Sequence, residues 1–308
     1  MGRRSRKPRD YRDVDGILLL DKPLGLSSNK ALQAARHVFK ANKAGHTGSL
    51  DPLATGLLPV CFGEATKFSG FLLEAAKRYR AECRLGVITS TGDAEGEVLE
   101  TRPVAVDRAQ VDATIPRFTG RIRQVPPMHS AVKHRGERLY NLARKGIEVE
   151  RESREVEIHA LEVLEFEGDR LVLDIHCSKG TYIRTLAEDI GEALGCGASL
   201  SALERTGVQP FWDGRRYTLD ELREIREQQG DAALLDCLLP IEAALAEWPE
   251  VELSSAMTFY LKQGQPVQVP GAPLEGLVRL KGEGEGFLGV GQILDDGRVA
   301  PKRLLKAK

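Results

Sequence analysis

Cysteine is scarce and unpatterned. The 308 residues hold five, at positions 61, 83, 177, 196 and 237, with no C-x-x-C pair and no histidines at zinc spacing beside them. A disulfide framework and a zinc site are therefore not indicated, and small buried hydrophobes in a reducing compartment are expected. Long apolar runs are also missing. The longest stretches, such as Ile17 to Leu20 and Leu57 to Phe62, fall far short of the roughly 20 residues a bilayer span requires, so no membrane segment is expected. No signal-type apolar region follows the basic N-terminus, and a cytoplasmic address fits. Net charge is nearly absent, with 44 basic against 45 acidic side chains, which speaks against a generic nucleic-acid binder carrying a uniform basic excess. No repeat of solenoid length is visible. Neither phosphate-cradle fingerprint survives inspection: Asp51-Pro52 stands where a P-loop needs Lys and Ser or Thr, and Gly195-x-Gly197 lacks a third glycine.

What remains is a folded chain. Hydrophobic residues make up 42% and charged residues 29%, enough for a sizeable core and for about two domains at roughly 150 residues each. The charge, although balanced, is segregated. Basic residues gather in an N-terminal arm over 1–15, again in Arg117, Arg121, Arg123, Lys133, Arg135 and Arg138, and finally in Lys302, Arg303, Lys306 and Lys308. Acidic residues dominate 93–100 and 220–252. Such a surface can hold a polyanion on one face, although each cluster taken singly is an ordinary solvated surface.

Hydrophobic periodicity predicts a strand over 16–20 and a helix over 28–41 capped by Ser27 or Ser28. After a Gly-rich loop (45–56) it predicts a strand at 57–62, a helix around 65–75, and strands at 79–85, 97–101, 121–125, 156–166 and 171–177. Helices are expected near 107–115, 139–145 and 181–194, giving an α+β architecture with a mixed sheet over 16–248. Residues 126–150, opening with two prolines, two histidines and several cations, read as a mobile loop or insertion. An acidic helical connector over 219–245 leads to a small β domain over 249–308, with strands expected at 265–269, 277–280, 287–294 and 298–305.

The most informative stretch is Gly45-His46-Thr47-Gly48-Ser49-Leu50-Asp51-Pro52-Leu53-Ala54-Thr55-Gly56. Three glycines and a proline around one acid imply tight turns that set Asp51 at a defined place. An aspartate so placed either hydrogen-bonds its own turn and does nothing more, or is presented for chemistry.

Together with Asp21-Lys22-Pro23-Leu24-Gly25-Leu26-Ser27-Ser28, Lys77-Arg78-Tyr79 and Cys177-Ser178-Lys179-Gly180-Thr181-Tyr182-Ile183-Arg184, this stretch resembles the TruB family of tRNA pseudouridine-55 synthases. The resemblance covers most of 16–207. It implies a pseudouridine synthase catalytic domain followed by a small, barrel-like PUA RNA-binding domain, here 249–308. The implied reaction isomerises the T-loop uridine of tRNA, with base flipping, no metal and no organic cofactor. It assigns Asp51 as the catalytic carboxylate, Arg184 as the cation that keeps it ionised and aimed, and Tyr79 as the ring against the target base. His46 is implied to insert among displaced nucleotides, and Lys22, Gly48, Tyr182 and Leu203 to line the RNA-binding pocket, Lys22 reading equally as a structural lysine beside Pro23. The implied partner is tRNA, held by its T arm and acceptor side by a monomer. Ser199 and Glu204 depart from the family pattern. A T-arm-binding RNA chaperone without catalysis is the rival reading; it has no need of a carboxylate, tyrosine and arginine together. A hydrolase using Asp51 is disfavoured because no histidine base or metal cluster accompanies it.

Overall fold

The computed structural model describes residues 10–130 and 132–306. Residues 1–9 of the basic arm, Ala131 and Lys308 lie outside the described residues.

A seven-strand path carries the larger body of the chain. Strand β1 (Gly16–Lys22) pairs with β3 (Ala54–Phe62), whose far end also receives the short β2 (Ala44–His46). Two minor hairpin strands follow β4 (Lys77–Leu85): β5 (Val87–Thr89) and β6 (Val98–Thr101), paired with one another. Next come β7 (Gly120–Gln124), the small β8–β9 hairpin (Lys133–His134 and Glu137–Arg138), β10 (Arg154–Glu167), β11 (Arg170–Cys177) and β12 (Ala198–Val208). The spatial order is β1-β3-β12-β4-β11-β10-β7. Along it only the β3–β12 join is parallel, at Ala54–Leu203, Thr55–Glu204 and Gly56–Arg205. Gly56 makes that join possible, since it adopts φ +91° and a Cβ there would lie 2.5 Å from the Arg205 carbonyl oxygen.

Helix α1 (Ser28–Val38) is amphipathic, with Ala31, Leu32, Ala35 and Val38 buried; with α6 (Leu219–Leu235) it covers β1 and β3. On α6 a capping box closes the first turn, Thr218 bonding the Glu221 N–H and Glu221 returning to the Thr218 N–H. Helices α2 (Ser69–Glu74) and α3 (Arg108–Thr114) are short, and α5 (Ile183–Ala193) packs Ile183, Leu186, Ala187 and Ile190 onto Ala81, Leu173, Ile175 and Leu200 of the central strands. Among the described residues no helix is long and apolar enough to cross a membrane.

The structure departs from these expectations at several points. Strand β12, for which the periodicity predicts no element, lies at the centre of the sheet. The segment after Pro126 is more than a loop, since it holds the β8–β9 hairpin, turning at Gly136; the helix expected near 139–145 follows as α4 (Leu139–Arg144) and buries Leu139 and Leu142. The C-terminal strands β13 (Glu250–Leu253), β14 (Leu277–Gly282), β15 (Gly286–Ile293) and β16 (Val299–Leu304) form an open four-stranded sheet rather than a closed barrel. In place of a strand at 265–269 there is one bridge, Val267 to Val299, and the preceding segment forms helix α7 (Ser255–Lys262). Burial comes from both sides instead of from closure. Val267, Val269 and Leu261 cover one side, while Phe287, Val290 and Leu305 pack with Phe68 and Leu72 of the body.

Candidate active site

Asp51 sits where β3 begins, at the heart of the sheet. Its carbonyl accepts from the Ala54 N–H at 3.1 Å, closing a turn with Pro52 in the second position, where the proline ring's fixed φ is favourable. The side chain remains 48% exposed, so one side meets solvent while Arg184 covers the other.

Arg184 reaches it from the first turn of α5. Its Nη2 lies 3.1 Å from Asp51 Oδ2 and donates to the His129 carbonyl at 2.7 Å, and its Nη1 donates to the Thr91 carbonyl at 2.8 Å and lies 3.4 Å from Asp93 Oδ2. The guanidinium is thus ringed by two carboxylates and two carbonyls, with only 7% of the side chain exposed. A planar fork of five N–H donors suits such a ring of acceptors. Asp93, itself buried, is anchored by the Thr91 hydroxyl at 2.5 Å and by the Glu95 N–H at 3.1 Å.

Enclosure raises the Asp51 pKa above the ordinary value of 3.8; Arg184 opposes the rise, Asp93 adds to it, and Lys22 and His129 counter it. A reaction that needs Asp51 ionised should therefore lose activity as pH falls through a value above that of a free carboxylate. Single-turnover rates measured from ~pH 4 to 7 give that acid limb; a limb at the free-carboxylate position would contradict the assignment.

Tyr79 stands on β4, facing Arg205 across the β12 register and Ile175 across β11. It is half-buried. Burial pushes its phenol up, and the adjacent Arg205 guanidinium pulls it back. Leu203, also half-buried, packs on the same cluster as Tyr79 and Leu53. Tyr182 precedes α5, its backbone held from both sides by buried Gln124: the Tyr182 N–H donates to Oε1 at 3.0 Å and Nε2 donates to the Tyr182 carbonyl at 3.2 Å. His46 ends β2 with its Nδ1 buried and unpartnered among the described residues; burial and Arg205 lower its pKa. Gly48, at φ +99°, offers its carbonyl to Arg205.

Lys22 is fully buried and points inward, not into the cleft. Its Nζ donates to Leu26 O at 2.6 Å and Pro23 O at 2.9 Å, with Pro52 O at 3.5 Å, and burial pushes it down to about 8 while Asp51 pulls the other way. It ties the end of β1 to the turn after Asp51, which makes it a support for the loop rather than a free pocket cation.

Two residues of the site went unassigned in the sequence. Asp93 is the second carboxylate on Arg184. Arg205 is 1% exposed and donates to Leu57 O at 2.7 Å and Gly48 O at 3.2 Å, so it clamps both arms of the Asp51 loop. Its inward place becomes visible only once β12 is seen as a strand, where its other buried positions are uncharged. The departure at Glu204 is accounted for next door: its carboxylate pairs with Arg216 at 2.9 Å on the side away from Arg205.

Comparison with known proteins fits this geometry. Residues 36–183 match the model of the TruB family pseudouridylate synthase N-terminal domain, 184–246 that of the tRNA pseudouridylate synthase B C-terminal domain, and 249–305 that of the pseudouridine synthase II TruB C-terminal region. A tRNA pseudouridine synthase B from Nitrosococcus oceani is 58% identical over 294 residues, covering 95% of both chains, and one from Ectopseudomonas mendocina is 55% identical over 294 residues, covering 96% of both. Among solved structures, a chain in the crystal structure of a Cbf5-Nop10-Gar1 complex superposes with a TM-score of 0.73 at 25% identity, covering 99% of this chain and 91% of that one. With identity of this level along nearly its whole length, the chain belongs to the TruB family of pseudouridine synthases.

Proposed function

We propose that the protein is a tRNA pseudouridine synthase that isomerises uridine 55 in the T loop, with Asp51 as the catalytic carboxylate. The observation that carries the reading is the Asp51–Arg184 ion pair at 3.1 Å, braced by Asp93, with the aspartate half-exposed to solvent. In this reaction the N1–C1′ bond of uridine breaks, the uracil turns over, and a C5–C1′ bond forms; the C5 proton leaves and N1 gains one, so substrate and product are isomers. Nothing is oxidised and no group enters from outside.

The flipped base would rest against Tyr79 and Leu203, with the Asp51 carboxylate beside the sugar and base and held ionised by Arg184. His46 would fill the space the base vacates, with Gly48 and Tyr182 in the RNA-facing lining. A chaperone that folds the T arm without chemistry would gain nothing from a half-enclosed carboxylate facing a polyanion. Phosphate contacts would be spread over exposed Arg117, Arg121, Arg123, Lys133, Arg135 and Arg138 and over Lys302, Arg303 and Lys306 of the C-terminal sheet, which we take as the PUA-type module on the acceptor side. Affinity should then fall steeply with salt, each neutralised phosphate adding roughly 0.9 to the logarithmic slope on duplex regions.

The test uses a T-arm hairpin carrying tritium at uridine C5, since formation of the C5–C1′ bond must release it. Tritium release confined to the T-loop uridine supports the reading, and release from another position, or none, refutes it. The contribution of the C-terminal sheet is best read from charge variants at Lys302 and Arg303. Truncation at 249 would bare Phe68, which packs 5.8 Å from Phe287, and so confound binding with folding.

A further inference from the structure

Two consecutive serines open α1, and the helix uses only the first. Ser27 is the cap, its side chain accepting the Lys30 N–H at 3.3 Å. Ser28 is 3% exposed, and its hydroxyl turns away from the helix towards Leu50. The Leu50 N–H donates to Ser28 Oγ at 2.7 Å, and the same oxygen donates to the Leu50 carbonyl at 3.0 Å. One hydroxyl therefore satisfies both backbone groups of the residue just before Asp51. On the other side of Asp51, the Pro52 carbonyl accepts from the Gly25 N–H at 2.9 Å, with Lys22 Nζ behind it. The two flanks of the aspartate are thus gripped by a single short segment, 22–28.

We propose that Ser28 is a positioning residue for the isomerisation, fixing Asp51 through both peptide groups of Leu50. The proposal rests on the reading of Asp51 as the catalytic carboxylate. Its physical basis is that, among the described residues, neither the Leu50 N–H nor its carbonyl has a backbone partner: Leu50 lies between β2 and β3, outside both ladders, and is itself buried. An aspartate has two side-chain torsions, so the place of its oxygens follows closely from the place of its Cα. Removing the Ser28 hydroxyl leaves a buried N–H and a buried carbonyl without partners, and a segment in that position shifts to reach water. The Asp51 to Arg184 approach of 3.1 Å cannot absorb a shift of an ångström and remain a hydrogen bond.

The experiment compares Ser28→Ala and Ser28→Thr with the parent on one T-arm hairpin, reading single-turnover rate, dissociation constant, melting temperature and the acid limb of the rate. Displacement on this scale predicts a rate for Ser28→Ala about tenfold to a hundredfold below the parent, with affinity within about threefold. The acid limb should move to higher pH, because a carboxylate drawn away from Arg184 loses the cation that opposes its raised pKa. A purely structural serine would lower the melting temperature and leave that limb in place. Ser28→Thr keeps the hydroxyl and should recover most of the rate. Parental turnover with an unmoved limb in Ser28→Ala overturns the proposal, as does equal impairment of the alanine and threonine variants. If the alanine variant does not fold, Ser28→Cys, near in shape and weak in hydrogen bonding, is read in its place by the same criteria. Asp51→Asn is run alongside: turnover by that variant would refute the catalytic reading itself, whereas an inactive Asp51→Asn beside a fully active Ser28→Ala refutes only the clamp.

Discussion

Asp51→Asn is expected to abolish pseudouridine formation while leaving T-arm binding and the melting temperature close to the parent's. The amide keeps the size of the carboxylate and can occupy the same place at the start of the Asp51–Ala54 turn, so the loop has no reason to rearrange. What is lost is the negative charge and the carboxylate oxygen that the proposed chemistry uses, which a second carboxylate nearby would have to replace. Asp93 is the nearest candidate by its shared partner, yet it is buried and committed to Thr91, Glu95 and Arg184. Binding should survive, even improve slightly, because removing a negative charge from a cleft that receives a polyanion lowers a repulsion. The readout is tritium release in a single turnover with enzyme in excess, beside a filter-binding isotherm on the same hairpin. Turnover above background would sink the assignment. Loss of binding together with activity would show instead that the loop needs the charge to hold its shape.

Much of this site was legible because its parts are local. Asp51 announced itself by the glycines and proline needed to turn the backbone twice within a dozen residues, and α1 and α5 by apolar positions at helical spacing. The pairing of Asp51 with Arg184 was given by family resemblance and not by any spacing, since the two are brought together only when α5 packs across the sheet. The same reason hid Asp93 and Arg205. Each acquires its role from partners far along the chain, Arg184 in one case and Gly48 with Leu57 in the other. Strand β12 escaped because its alternation is broken where the register shifts, between Leu200 and Ala202 and between Arg205 and Gly207, and it is pairing with β3 and β4 that makes it a strand. In the C-terminal sheet the error ran the other way. Of the four runs expected as strands, 265–269 makes only the Val267–Val299 bridge, while Ser255–Lys262, to which no element was assigned, is a helix because Ser254 caps it and Thr258 and Leu261 bury against the sheet.

Arg184→Lys should cost far more in turnover than in affinity. In the folded protein the arginine spends its donors internally, on the Thr91 and His129 carbonyls and on the Asp51 and Asp93 carboxylates, and almost none of its surface faces the solvent from which RNA arrives. Long-range attraction for phosphates is therefore carried by the exposed cations elsewhere, and exchanging one buried cation for another leaves it nearly unchanged. Geometry is what the exchange destroys. An ammonium places three donors at one point, so it can satisfy the Asp51 side of the ring or the Asp93 side, but it cannot span both as the guanidinium plane does. Whichever side it leaves, a carboxylate loses its partner. If Asp51 is abandoned it drifts and its pKa climbs; if Asp93 is abandoned a buried charge is left without compensation, at about 3–5 kcal/mol of stability for a fully broken pair. Misplacing the catalytic oxygen by about 1 Å is enough for a hundredfold loss of rate, equivalent to about 2.7 kcal/mol on the barrier. The dissociation constant should change by no more than about threefold, with the salt slope of binding unchanged, since a slope reports phosphates neutralised and Arg184 is expected to neutralise none. Single-turnover rate, affinity and salt slope measured on one hairpin separate these effects. A lysine variant that turns over near the parent rate would mean that charge alone aims Asp51; one that fails through weak binding with a shallower salt slope would mean that Arg184 meets the RNA backbone and not the carboxylate.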